Sequence, residues 1–296
     1  WLHDIGGQLE FVRGDIRDYE SLTAALSPGI DCVYHMAAQV AVTTSVTHPR
    51  DDFEINAMGT FNVLEAVRTV APDASVFYAS TNKVYGGMEN TAVVEDDTRY
   101  RYRDLDLGVS EDQHLDFHSP YGCSKGCGDQ YVRDYARIYG LKTVVFRQSC
   151  IYGPRQFGVE DQGWVAHFCI AVRLGRPITI YGDGKQVRDV LWIDDLVEAY
   201  QAAIDRVDTV AGQVYNIGGG PENTMSIWAE FGPLLESLAG RPISFTRADW
   251  RPGDQPVYIS DIRKARRDFG WRPKTSLSDG VTHLWEWIDR NPDLFQ

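Results

Sequence analysis

Short apolar runs alternate with stretches of helical period over the first two thirds of this chain. Leu9 to Arg13 reads as a strand and Tyr19 to Leu26 as a helix. Cys32 to Met36 is a strand ending in the small pair Ala37 and Ala38. Asn56 to Val70 sets Phe61, Leu64 and Val67 on one helical face. Ser75 to Ala79 reads as a strand, Tyr121 to Tyr139 as a helix and Thr143 to Phe146 as another strand. Such alternation predicts an α/β fold, a doubly wound parallel sheet with helices on both faces. Ligands of such sheets bind beyond the carboxyl ends of the strands. Ala37, Ala38, Thr81 and Gln148 all follow predicted strands, so the pattern marks a site there.

After about residue 155 the texture changes. Turns rich in Gly and Pro, such as Gly182 to Gly184, Gly218 to Pro221 and Arg251 to Gly253, separate shorter elements. The expected organisation is a sheet domain over residues 1–155 and a smaller mixed lobe over 156–296. A strand near 187–192 is expected to return from that lobe to the main sheet. Residues 87–118 form a long charged insertion, a length that suggests a lid or a disordered loop.

Composition narrows the partners. The 296 residues carry a net charge of −13 with 43% hydrophobic content, which gives no basic footprint for nucleic acid or an anionic membrane surface. No apolar run approaches the roughly 20 residues that span a bilayer. The five cysteines (Cys32, Cys123, Cys127, Cys150, Cys169) are scattered. Cys123 and Cys127 have no second pair or histidine cluster nearby, so no metal site is expected, and inert thiols in a reducing cytoplasm are the reading.

The candidate chemistry centres on Tyr121 and Lys125. Positions i and i+4 share one helical face, so both side chains can enter one cleft. An ammonium beside a phenol is expected to lower its pKa from about 10 toward neutrality. That makes an acid/base suited to a sugar hydroxyl. Taken alone, the spacing is short enough to arise in any exposed helix start.

Its neighbours add weight. Gly14 to Ile16, His35 to Gln39, Asn56 to Thr60, Ser80 to Gly86, Tyr121 to Lys125, Gln186 to Asp189 and Arg251 to Asp254 occur in one order along nearly the whole chain. Together they resemble the extended short-chain dehydrogenase/reductase family of NAD-dependent nucleotide-sugar epimerases and dehydratases, which has a Rossmann-like fold. Within it, Ser80 to Gly86, Leu115 to Lys125 and Asp161 to Trp164 look like the branch acting at C2 of CDP-linked paratose and tyvelose.

The resemblance implies roles residue by residue. Asp15 and Ile16 would meet the adenine of NAD, and Ala37 and Ala38 its pyrophosphate and ribose. Gln39, Ala79 and Asn56, the last read as a helix-start amide, are further cofactor-side candidates. Gln148 and Ile151 lie where the family contacts the nicotinamide. Thr81, Tyr121 and Lys125 would be the catalytic group, with Tyr121 and Lys125 also touching the cofactor. Thr81, Asn82 and Lys83 face the substrate. Arg188 and Arg251 would grip its diphosphate, Asp254 its nucleoside ribose, and Gln162, Trp164 and Tyr181 its sugar and base. Each taken singly has a plainer reading as a turn, cap or surface residue.

Two departures from the family pattern matter. The family's glycine-rich turn should precede Asp15 by several tens of residues, but only fourteen residues stand there and Gly6-Gly7 does not form it. The first βαβ unit is therefore expected to be missing from this chain, and these residues alone to bind NAD poorly. The second departure selects a reaction. The 4,6-dehydratases carry Asp-Glu directly after the catalytic threonine, where this chain has Asn82 and Lys83. Reversible oxidation and reduction is what survives. The expected function is epimerisation of a CDP-sugar at C2 by a cytoplasmic enzyme, a homo-oligomer (dimer or tetramer). A UDP-hexose 4-epimerase and a non-catalytic nucleotide-binding protein of the same fold are the alternatives.

Overall fold

A computed structural model describes residues 7–251 and 253–295. Trp1, Gly6 and Pro252 lie outside the described residues. The main sheet has four parallel strands in the spatial order Cys32–His35, Ser75–Thr81, Lys142–Gln148 and Val214–Ile217. Successive side chains of a strand point to opposite faces, and the core follows that rule. Val76, Tyr78 and Val145 pack with Val63, Leu64, Val67, Val132 and Tyr135 of two helices on one face. Phe77, Val144 and Phe146 meet Leu196, Ala199, Tyr200, Ala203 and Phe269 on the other. The fold is the expected Rossmann-like, doubly wound α/β sheet with a smaller mixed C-terminal part.

Most predicted elements stand within a few residues of their expected limits. Two do not. Leu9 to Arg13 is not a strand: Leu9, Phe11 and Val12 are exposed, and Cys32–His35 pairs only with Ser75–Thr81 among the described residues. An apolar run without a neighbouring strand has no ladder to complete. The strand that returns to the main sheet is Val214–Ile217, not 187–192. Val187–Asp189 instead lies at the centre of a three-stranded sheet between Thr224–Ser226 and Val257–Tyr258, and Leu191–Trp192 pairs with Ile151–Tyr152. Val214 to Ile217 was not considered from the sequence, and which segment joins the main sheet is decided by its pairing with Lys142–Gln148.

The insertion over 87–118 is neither a lid nor a disordered loop. It forms a hairpin, Val93–Glu95 with Tyr100–Tyr102, tied down at its tip. Arg99 pairs with Glu230 at 2.6 Å, and the Tyr100 hydroxyl donates to Asp183 at 2.6 Å. Its inner side chains Met88, Tyr102 and Val109 share a core with Val84, Tyr85, Val187 and Tyr258. The hairpin thus bridges the main sheet and the C-terminal part. Among the described residues no helix is long and apolar enough to cross a membrane.

Candidate active site

A cavity of about 510 Å³ opens over the carboxyl ends of the main-sheet strands, within the size range of small-molecule sites. It gathers most of the predicted residues. Ala38, Ala79, Thr81, Asn82, Lys83, Tyr121, Lys125, Gln148, Ile151, Gln162, Trp164, Tyr181, Arg188, Arg251 and Asp254 all line it. Five predicted residues do not. Asp15 is exposed and clasped by Arg17 at 2.6 Å, which holds its carboxyl down at about 2. Ile16 packs beneath the sheet against the helix at Gly59. Ala37 is exposed beside the cavity. Gln39 and Asn56 turn toward each other, Gln39 N–H donating to Asn56 Oδ1 at 2.9 Å.

Asn56 is also not at a helix start. Residues 49–70 are one continuous helical run, and Asn56 sits in a π-helical turn, Glu54–Met58, in its middle. Such bulges turn side chains off the usual helical face. Here the bulge aims the Asn56 amide at Asp52, Gln39 and Ser124. Asp52 is fully buried and accepts from Ser124 Oγ at 2.5 Å and Gln39 Nε2 at 2.9 Å. Burial raises its pKa, and these hydrogen bonds pull it back. Ser124 lies between Tyr121 and Lys125 in sequence, so this cluster anchors the helix that carries both.

That helix, Ser119–Tyr139, begins with Pro120 in its first turn, where a missing N–H does no harm. Tyr121 N–H donates to Ser45 Oγ at 3.1 Å. Gly128 lets the helix lie close on the sheet, since a Cβ there would meet Tyr78 Oη at 2.5 Å. Tyr121 and Lys125 therefore face the same cavity, buried at 9% and 3% exposure. Thr81 ends its strand and caps the following 3₁₀ turn, its hydroxyl accepting from Lys83 N–H at 3.2 Å.

The electrostatics differ from the sequence expectation. Lys125 does not draw the phenol toward neutrality. Burial pushes Tyr121 up to about 12; a hydrogen bond with Thr81 opposes this and the charge of Asp52 adds to it. Lys125 is itself brought down to about 7 by burial, against the pull of Asp129 and Asp52. Its ammonium donates to the Ala79 carbonyl at 2.7 Å and stands 4.3 Å over the Tyr78 ring. The spacing rule places both residues on one face; it says nothing about desolvation, which dominates here.

Behind this group lies a buried ion pair that the sequence reading missed. Asp129, one turn beyond Lys125, accepts from Arg147 Nε and Nη2, both at 2.9 Å, and from Ser80 Oγ at 2.8 Å. Arg147 Nη1 donates to the Tyr85 hydroxyl at 3.0 Å, which donates on to Asn216 at 2.7 Å. The signal was present. A charged residue inside the apolar strand Lys142–Gln148 must find a partner, and Asp129 continues the four-residue spacing of Tyr121 and Lys125.

The opposite wall comes from the C-terminal part. Arg188 Nη2 bonds Asp254 at 2.5 Å. Arg251 lies 3.9 Å over the Tyr181 ring and 3.2 Å from Asp161. The Tyr181 hydroxyl donates to Glu160 at 2.7 Å. Cys150, also missed, lines the cavity with a positive φ of 38° and accepts from Trp164 Nε1 at 3.4 Å. Among the described residues no cluster of three or more His, Cys, Asp or Glu is arranged to hold a metal ion.

A threonine at a strand end, with a tyrosine and a lysine on the adjoining helix, shares the cavity with two arginines from the C-terminal part, the layout of dehydrogenase-like nucleotide-sugar enzymes. The chain belongs to the GDP-mannose 4,6-dehydratase family, whose model matches residues 2–284. It is 46% identical to the CDP-paratose 2-epimerase of Salmonella typhi, over 97% of this chain and 86% of that one. Among solved structures, it resembles the UDP-glucose 4-epimerase of Thermotoga maritima with UDP-glucose. That match has a TM-score of 0.82 at 29% identity and covers 95% of this chain and 85% of the other. A dTDP-glucose 4,6-dehydratase of Streptomyces venezuelae solved with NAD bound matches with a TM-score of 0.84 at 28% identity, over 99% and 83% of the two chains.

Proposed function

We propose that this protein is an NAD-dependent nucleotide-sugar epimerase that inverts C2 of a CDP-linked deoxyhexose, interconverting CDP-paratose and CDP-tyvelose. One observation carries the reading. Thr81, Tyr121 and Lys125 share a cavity with Arg188 and Arg251, while Asn82 and Lys83 occupy the wall where dehydration would need a carboxylate acid and base. The likeness to a CDP-paratose 2-epimerase supports the choice of carbon and base. The residues at the strand ends fit a dinucleotide. Lys125 spends one N–H on Ala79 O and keeps others for a ribose diol. Ala38 and Ala79 leave the backbone approachable, and Gln148 and Ile151 stand beside them. When bound, NAD supplies the hydride acceptor and donor.

The chain's own residues move the proton. Tyr121, held protonated by burial, would first have to release its own proton to solvent, which the positive charge of a bound oxidised nicotinamide would favour. As phenolate it takes the proton from the C2 hydroxyl as the C2 hydride leaves, and gives it back as hydride returns to the opposite face of the ketone. Thr81, pinned by Lys83 N–H, holds the reacting oxygen beside the phenol. Arg188 and Arg251 exchange their carboxylate partners for the diphosphate, which suits a planar guanidinium. Phe61 and Tyr131 meet edge to face at 5.8 Å on the outer side of the paired helices, with Ile138 and Tyr139 exposed nearby. This face suits a second copy, in keeping with a cytoplasmic dimer.

Incubation of the purified protein with a large excess of NAD, to offset the weak cofactor binding expected of these residues alone, and either CDP-paratose or UDP-glucose, with products assigned by NMR, tests the function. CDP-tyvelose from the first is the expected result. Galactose epimer from the second alone makes it a 4-epimerase, and nucleotide binding without turnover of either makes it a binding protein.

A further inference from the structure

Among the described residues lining the cavity, Lys83 alone carries a charged head group with neither a hydrogen bond nor an ion pair. Every other charge there is engaged: Lys125 with Ala79, Arg188 with Asp254, and Arg251 with Glu160 and Asp161. Lys83 is only partly buried on the cavity wall, and a cation there without a partner is less well stabilised than a paired one. Burial and the charge of Arg188 bring its pKa down to about 8, with Asp254 and Cys150 pulling the other way. An anionic ligand group would relieve both.

Its place in the cavity says which group. The Lys83 backbone is fixed to Thr81 Oγ1 through its N–H at 3.2 Å and to Gly86 through its carbonyl at 3.2 Å. Its charge feels Arg188 and Asp254. Lys83 thus lines the same cavity as Thr81 and Tyr121, two residues along the chain from Thr81, and lies within electrostatic reach of Arg188 on the opposite wall. In a sugar nucleotide, C2 is bonded to the carbon bearing the diphosphate, whereas C4 lies across the ring. We propose that Lys83 selects the carbon that reacts: it binds a phosphate oxygen at the sugar–diphosphate junction and so seats C2, not C4, against Tyr121. This rests on the epimerase reading above.

The test pairs binding with turnover in Lys83→Met and Lys83→Arg, each checked for native circular dichroism. Titration calorimetry with CDP and with CMP reads the terminal phosphate alone. Lys83→Met should lose about tenfold in CDP affinity and little in CMP affinity, and Lys83→Arg should keep most of the gap. With CDP-paratose, Lys83→Met should lower kcat/KM about 100-fold and yield some product altered at C4. A CDP–CMP gap and a C2 rate within twofold of wild type would overturn the proposal. If wild-type protein leaves CDP-paratose unchanged, the function reading falls instead, and a gap that still collapses in Lys83→Met upholds the phosphate contact. Should Lys83→Met fail to fold, Lys83→Gln carries the same comparison.

Discussion

On the sheet side of the cavity, Thr81, Tyr121 and Lys125 are less than a tenth exposed and are held by backbone atoms, by Ser45 and by each other. On the opposite side, the Arg251, Glu160 and Asp161 side chains are 29%, 47% and 46% exposed and are held mainly by one another. The first wall is finished before any ligand arrives. The second is held by carboxylates that a diphosphate, under the proposed function, would replace. Chemistry needs fixed distances and displaced pKa values, which burial provides. Binding needs partners that can be exchanged, which water and half-exposure permit.

The sharpest way to break this contrast is to alter the reacting group. Tyr121→Phe removes the proposed proton carrier and leaves the ring, so turnover should fall about 10³- to 10⁴-fold. CDP binding, made on the other wall, should be unchanged. Comparable losses in both would mean that the two walls do not divide the labour.

The next effect is on stability. If the sheet wall is rigid because the Asp129–Arg147 pair locks strand to helix, Asp129→Asn should cost about 3–5 kcal/mol in urea unfolding, since it strands a guanidinium that is 2% exposed. Replacing both partners, as Asp129→Leu with Arg147→Met, should cost much less. A single replacement as mild as the double would show that the pair is a passenger.

A third test uses pH. Burial brings Lys125 down to about 7 in the fold, from the 10.5 usual for a lysine. Between these values the unfolded chain holds a proton that the folded one lacks, so stability rises with pH there. The contribution is complete above 10.5 and is lost as pH falls to about 7. Paired denaturation curves of wild type and Lys125→Met should differ in slope by up to about 1 kcal/mol per pH unit over that window. Equal slopes would mean that burial does not govern this lysine.

The same division decides what was legible beforehand. Features that obey a spacing rule could be read. Tyr121 and Lys125 sit four apart, the strand ends carry Ala38, Thr81 and Gln148, and the alternation of apolar runs fixed the sheet. Features that depend on distant neighbours could not be read. Nothing local marks Asp52 as the anchor of Ser124, because its partners come from three segments. Desolvation reversed the expected pKa of Tyr121 for the same reason. Gln39 and Asn56 were drawn to the cofactor by resemblance, yet the π-turn spends them on each other. The strand expected near 187–192 pairs in a separate sheet, and Val214–Ile217, not considered from sequence, joins the main one; only the pairing partner tells such short segments apart.

The smallest effect probes the exchangeable wall itself. Arg251 is shared between Asp161 at 3.2 Å and Glu160 at 3.7 Å, contacts worth about 0.2–1 kcal/mol at such exposure. If Arg251 takes the diphosphate, as proposed, a phosphate must displace them, and they compete with the ligand. Asp161→Asn removes one competitor and keeps the shape. CDP affinity should rise about two- to fivefold at low ionic strength and converge on wild type near 0.5 M salt, where charges this exposed are screened. Thermal stability should stay within about 0.5 kcal/mol, as for most surface replacements. Weaker CDP binding in Asp161→Asn would instead mean that the carboxylate positions Arg251 for the phosphate, and that this wall, like the sheet side, is built in advance.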